Sequence, residues 1–279
     1  MSNLVVRALT AVVLVPLLLA SLFVDPTIWS ILGVAALAVI FAQDEFLRMA
    51  LPVTDALPWW GMRAVSGCFG AALLVLAVLY GLPAVLPPLL AGFTVVVSVL
   101  ALSRPEGIDS AGRRLAAAWG GMMYVPMMAS VWPLLKHEFP EDGATWLLLA
   151  LVIAFGSDTC AYFVGRAFGK RPLYAAVSPN KTIAGAIGGM LGGVLAAAGL
   201  GSSWLLPQIP VGHGVALGVL GSVCGQLGDL VESLIKRTFG VKDSGALLPG
   251  HGGMLDRVDG LLFVAPVVYF YAALVVAAP

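Results

Sequence analysis

Between Lys236 and Asp259 the sequence concentrates groups that could manage phosphate chemistry. Lys236, Arg237, Lys242 and Arg257 supply positive charge, and arginine adds a two-pronged donor suited to phosphate oxygens. Asp243, Asp256 and Asp259 are interleaved with them. Glycines at 240, 245, 250, 252 and 253 free the backbone to turn its amides inward on an anion. His251 lies among these glycines, where a phosphate contact and a role in the turn fit equally well. Just upstream, Asp229, Glu232, Ser233 and Lys236 fall at i, i+3, i+4 and i+7 and so share one helical face. Asp229 and Asp256 could hold a divalent cation that bridges phosphate oxygens, the usual arrangement for magnesium. Such a set suits phosphoryl or nucleotidyl transfer, in which catalysis is mostly positioning and charge neutralisation.

A second basic stretch, 166–182, holds Arg166, Lys170 and Arg171, then Ser178-Pro179-Asn180-Lys181-Thr182 at the start of a helix. A helix N-terminus beside Lys181 and Thr182 is a good phosphate site; binding to anionic lipid headgroups is the plainer reading of this loop alone. It is not a Walker loop, because Gly165 to Gly169-Lys170 is one residue short and Arg171 stands where Ser or Thr is needed. Asp158, Tyr162 and Arg166 share another helical face. Ion pairing and snorkelling would account for Arg166 and Glu232 as well as a site would. Asp44-Glu45 is expected to cap a helix at the membrane interface, and His137 and His213 to be incidental. Cys68, Cys160 and Cys224 have no metal-ligand spacing and read as small apolar packing residues. Gly-x-Ser-x-Gly, His-Glu-x-x-His and Cys-x-x-Cys are absent, which leaves acyl hydrolase, zinc protease and redox chemistry without support.

The elements that must position these groups are membrane helices. Of 279 residues 60% are hydrophobic and 11% charged, with a mean hydropathy of +0.98. Soluble domains carry about 25% charged residues, so a cytosolic enzyme, a disordered chain and a nucleic-acid binder are excluded. A span needs about 20 apolar residues. The chain offers nine candidates: 8–24, 27–42, 64–80, 83–102, 115–135, 145–165, 183–206, 211–235 and 258–278. Asp25-Pro26 would make the first two a tight hairpin, and Pro16, Pro87-Pro88 and Pro266 would kink their helices. Arg7 before the first apolar run could mark a signal peptide, but with no small-x-small cleavage site an uncleaved span is expected. With nine spans, 14 of the 15 basic residues fall on one side and only Lys136 on the other. Positive charge stays inside. The expectation is an all-α polytopic protein with a cytoplasmic N-terminus and an outward C-terminus. Residues 1–114 would form a scaffold of four helices, and 115–279 five helices carrying the motifs. Glycines at four-residue spacing (185, 189, 193; 188, 192; 214, 218; 221, 225) are expected to pack helices within one subunit.

The run from Ser233 through Lys236-Arg237, Lys242-Asp243 and Pro249-Gly-His251-Gly-Gly to Asp256-Arg257-Val-Asp259 resembles the signature of the phosphatidate cytidylyltransferases, or CDP-diacylglycerol synthases. Ser157-Asp158-Thr-Cys-Ala-Tyr162-Phe-Val-Gly165-Arg166 and Ser178-Pro-Asn-Lys181-Thr182 are similar to motifs upstream in that family. One departure is Ala184, where the family commonly has an acid. The resemblance implies a reaction of CTP with phosphatidate that yields CDP-diacylglycerol and pyrophosphate, the committed step of phospholipid synthesis, at the cytoplasmic face of the inner membrane. It implies magnesium, with room for a monovalent cation beside it, and suggests a homodimer. Asp229 and Asp256 would be the metal acids, with Lys236 and Arg257 catalytic. Ser178, Lys181, Thr182, Arg237, Lys242, His251 and Asp259 would bind substrate, supported by Asp158, Arg166, Glu232 and Asp243. A secondary transporter is the alternative from another class, disfavoured because the ionisable residues crowd one side. A polyprenol kinase or archaeal-type CDP-lipid synthase is the nearer alternative, against which the long loop motif argues. A CDP-alcohol phosphotransferase would need paired Asp motifs that are missing.

Overall fold

A computed structural model describes residues 3–24, 27–51, 60–103, 108–247, 250 and 252–276; the side chains of 3–11, 108–110 and 276 lie outside that description. The chain forms two compact units, Met1–Leu134 with Asp243–Arg257, and Leu135–Lys242 with Val258–Pro279. In the first unit run α1 (Asn3–Phe23), α2 (Trp29–Ala50), α3 (Trp60–Tyr80), α4 (Leu82–Leu102), α5 (Ile108–Tyr124) and α6 (Pro126–Ala129). α7 (Val131–Glu138) follows. The second unit contains α8 (Gly143–Phe168), the strands β1 (Pro172–Tyr174) and β2 (Ser178–Thr182), α9 (Ile183–Val194) and α10 (Val211–Thr238). α11 (Leu255–Tyr271) has its first three residues in the first unit and the rest in the second. α9 runs on to Leu205 and α11 to Val276 in wider π-type turns.

Among the described residues, seven helical segments are long and apolar enough to cross a membrane: α2, α3, α4, α8, α9 with its extension, α10 and α11 with its extension. Their outward faces carry large apolar side chains, such as Val95 and Val99 on α4, Leu191 on α9 and Leu195 on its extension. Water would not tolerate so much exposed apolar surface; lipid does. This is a multi-pass membrane protein. Seven of the nine expected spans have such a helix, and of the first, 8–24, only 12–24 is described with its side chains. The described apolar part of α1, Val12–Phe23, is shorter than a span. The stretch 115–135 is divided into α5, α6 and α7. Pro126 has no N–H to give the carbonyl one turn back, and Val125 departs from helical geometry at φ −95°, ψ −68°. Elsewhere helices run unbroken through Pro16, Pro87, Pro88 and Pro266. The turn expected at Asp25-Pro26 lies outside the described residues.

In the first unit α2 packs on α3 and α5, and α4 packs on α3 and α5. Fully buried Phe93 sits at the centre, its ring 5.5 Å from that of Phe69 and 5.9 Å from that of Trp119. The turn into α4 needs Gly81, whose φ of +83° is the left-handed region that side chains avoid. In the second unit α9 lies against α8 and α10. Its glycines face these neighbours, as the four-residue spacing suggests. A Cβ at Gly189 would lie 3.0 Å from the Ser157 carbonyl on α8, and one at Gly218 2.7 Å from the Gly193 carbonyl on α9. The basic stretch 166–182, expected to be a loop, contains an antiparallel ribbon that pairs Pro172 with Thr182 and Tyr174 with Ser178. The all-α expectation therefore needs this small addition.

Gly218→Ala should lower the thermal unfolding midpoint in detergent, because a Cβ 2.5 Å from the Val194 Cα meets backbone that cannot turn aside. Overpacking of this kind costs about 1–3 kcal/mol. Gly212→Ala, which meets nothing within 4 Å, should leave the midpoint unchanged or raise it.

Candidate active site

α10 presents Asp229, Glu232, Ser233 and Lys236 along one face, as the spacing dictates. Glu232 is 1% exposed, and a carboxylate so far from water must be matched by positive charge. Lys236 Nζ stands 2.5 Å from Glu232 Oε2, one turn along the same helix. Asp229 forms its ion pair with Lys181, at the end of β2. Asp259, on α11, is the other buried acid of the second unit, and Asp229 is half-buried. One carboxylate oxygen from each of Asp229, Glu232 and Asp259 lies within 4.8 Å of the other two. Gly228 permits this approach: a Cβ there would sit 2.7 Å from the Asp259 carbonyl and 2.7 Å from the Phe263 ring. Carboxylate oxygens are hard donors of the kind a divalent cation takes, and the three carboxylates face two ammonium groups. The residues fit a divalent cation.

Beside this cluster the ribbon is fastened to α10. Arg237 donates from Nε to the Val177 carbonyl at 3.4 Å and from Nη1 to the Val241 carbonyl at 3.1 Å, tying the ribbon's turn to the end of α10. Thr182 caps α9, its Oγ1 accepting from the Gly185 amide at 3.0 Å. Ser178 opens β2. Asp158 and Arg166 are exposed on α8, where Arg166 donates to the Tyr162 hydroxyl at 3.0 Å. Lys242, Asp243 and Arg257 are exposed. His251 lies outside the described residues, as does Pro249.

The glycine-rich loop does turn amides inward on anions, but the anions are carboxylates of this chain. In the first unit Asp256 Oδ2 accepts from the Gly253 amide at 2.8 Å and the Ser244 amide at 3.1 Å. Glu45, 6% exposed on α2, accepts from the Met254 and Leu255 amides, each at 2.9 Å, and from Ser244 Oγ at 3.0 Å. Gly252, at φ +82°, makes the turn beneath Asp256, whose Oδ2 would lie 2.8 Å from a Cβ there. The interfacial cap expected of Asp44-Glu45 holds for neither residue: Asp44 binds Arg48 and Arg63, and Glu45 receives the N-terminus of α11. Glu45 is the residue that sequence reasoning missed. Its signal was position, since an acid in the last turns of α2 opposes that helix's own dipole and so needs another partner.

Residues 5–275 match the model of the cytidylyltransferase family. A phosphatidate cytidylyltransferase of Brucella suis biovar 1 (strain 1330) is 35% identical over 285 residues, covering 98% of this chain and 95% of that protein. One from Bacillus subtilis (strain 168) is 48% identical over 138 residues, so the alignment spans about half of each protein, 50% and 51%. One from Staphylococcus epidermidis (strain ATCC 12228 / FDA PCI 1200) is 39% identical over 176 residues, 61% of each. With nearly its whole length accounted for, this chain belongs to the cytidylyltransferase family.

Proposed function

We propose that this protein transfers CMP from CTP to phosphatidate, forming CDP-diacylglycerol and pyrophosphate, the committed step of phospholipid synthesis. The observation that carries the reading is the convergence of Asp229, Glu232 and Asp259, with Lys181 and Lys236 paired to two of them, in a chain of this family. A phosphate oxygen of phosphatidate attacks the α-phosphorus of CTP, and the bond from that phosphorus to the β-phosphate oxygen breaks. Pyrophosphate leaves with the electron pair. Phosphatidate is ionised at neutral pH, so no general base is needed.

Magnesium would be held by Asp229 and Asp256, and a monovalent cation beside it is compatible with the donor set. The oxygens of Glu232 and Asp259 that lie close to Asp229 support a cation at Asp229. Bound there, it would draw charge from the triphosphate. Lys181 and Lys236 are held by carboxylates in this structure; on substrate binding they exchange those partners for phosphate oxygens. Lys242, Arg237 and Arg257 add positive charge for the leaving pyrophosphate. Ser178, Thr182, His251 and Asp259 complete the substrate contacts, and Asp158, Arg166 and Asp243 support them. The reading includes nine spans, a cytoplasmic N-terminus and an outward C-terminus, with the site on the cytoplasmic side of the inner membrane. The lipid's acyl chains then stay in the bilayer while its phosphate meets cytosolic CTP. A homodimer is part of the reading through family resemblance.

Purified protein given labelled CTP and phosphatidate should form a lipid-soluble CDP product only when magnesium is present. Asp229→Asn and Asp256→Asn should lower turnover at least about 100-fold, within the 10²–10³ lost when a single charge-stabilising group is removed. Lys136→Ala, on the outer side, should keep wild-type turnover. A product formed from another nucleotide, or without magnesium, would contradict the assignment.

Lys236→Met strips the ammonium from a carboxylate that is 1% exposed, which should cost about 3–5 kcal/mol in unfolding. Adding Glu232→Gln should restore most of the stability but not the turnover. Recovery of both would remove Lys236 from the phosphates.

A further inference from the structure

We infer that Glu45 is a positioning residue for Asp256: an internal anion around which the glycine-rich loop folds, so that the loop's acid is held in one orientation. The inference rests on the proposed role of Asp256 in holding magnesium. Three donors from the segment 244–255 converge on one carboxylate, two of them backbone amides at the start of α11, where the helix dipole favours negative charge. The loop is shaped to admit it. A Cβ at Gly245 would lie 2.5 Å from Glu45 Oε1, and one at Gly253 2.8 Å from its Cδ. Both glycines therefore leave space that the carboxylate fills.

Ser244 connects the two acids. Its Oγ donates to Glu45 and stands 3.3 Å from the Asp256 amide, while its own amide donates to Asp256 Oδ2. The Gly253 amide donates to the same Asp256 oxygen, one residue before the amides that Glu45 holds. Moving Glu45 thus moves the peptide units that aim Asp256. Glutamine is nearly the same size, but its amide group offers hydrogens where glutamate offers a lone pair, so at least one of the three donors loses its acceptor. Residues that orient a metal ligand typically change metal affinity or activity 10–100-fold when replaced, so about that range is expected here.

The test compares wild type, Glu45→Gln and Ser244→Ala for lipid CDP formation across a magnesium titration, and for amide hydrogen exchange over residues 244–256 without magnesium. Half-saturating magnesium should rise about 10–100-fold in Glu45→Gln and less in Ser244→Ala, with the KM for phosphatidate unchanged. Exchange in the loop should quicken in both variants. Unchanged exchange together with unchanged magnesium dependence would overturn the inference. So would a fall in activity that tracks thermal stability while half-saturating magnesium stays fixed, since a purely structural role predicts that outcome. If wild type itself makes no CDP lipid, the enzymatic reading fails, while loop exchange still decides whether Glu45 positions Asp256.

Discussion

A carboxylate on a membrane helix has to find positive charge or hydrogen-bond donors, because lipid and packed helices return none of the hydration it loses. The effective penalty is several kcal/mol per ion. Three acids meet that demand in different ways. Glu232 takes a lysine one turn along its own helix, and Asp229 takes one from the neighbouring ribbon. Glu45 takes backbone amides and a serine hydroxyl. The last two solutions each fix a second element: the end of β2 for Asp229, and the start of α11 for Glu45. Charge burial thus does much of the arranging in a chain whose apolar surfaces, being equally at home in lipid, specify little.

Close approach of backbones is the other determinant. With lipid outside, helix packing relies on van der Waals contact at small residues, and the glycines of α9 and α10 provide it. Gly228 matters most for chemistry, because the absence of its Cβ lets Asp259 come near Asp229 and Glu232. The cluster that fits a cation follows from a glycine as much as from acids.

Much of this was readable from residue order. The face shared by Asp229, Glu232, Ser233 and Lys236 follows from 3.6-residue periodicity alone, and the glycine spacing foretold packing within the chain. Seven expected spans have matching helices because hydropathy over 20 residues is a strong local signal. What escaped is non-local. Pro126 reads like Pro16 or Pro87 in sequence, yet the helix breaks only at Pro126. The ribbon of 172–182 has no apolar alternation to announce it. The loop amides were expected to cradle phosphate, and those of Ser244, Gly253, Met254 and Leu255 instead hold Asp256 and Glu45. No local pattern connects residue 45 with residue 255.

Manganese titration of the purified protein without nucleotide, followed by electron paramagnetic resonance, asks the central question: whether the clustered acids hold a hard divalent cation. Wild type should bind the ion at a site from which magnesium displaces it, and Asp229→Asn should weaken that site at least about tenfold. Manganese binding of equal strength in both proteins, or none in wild type, would contradict the account.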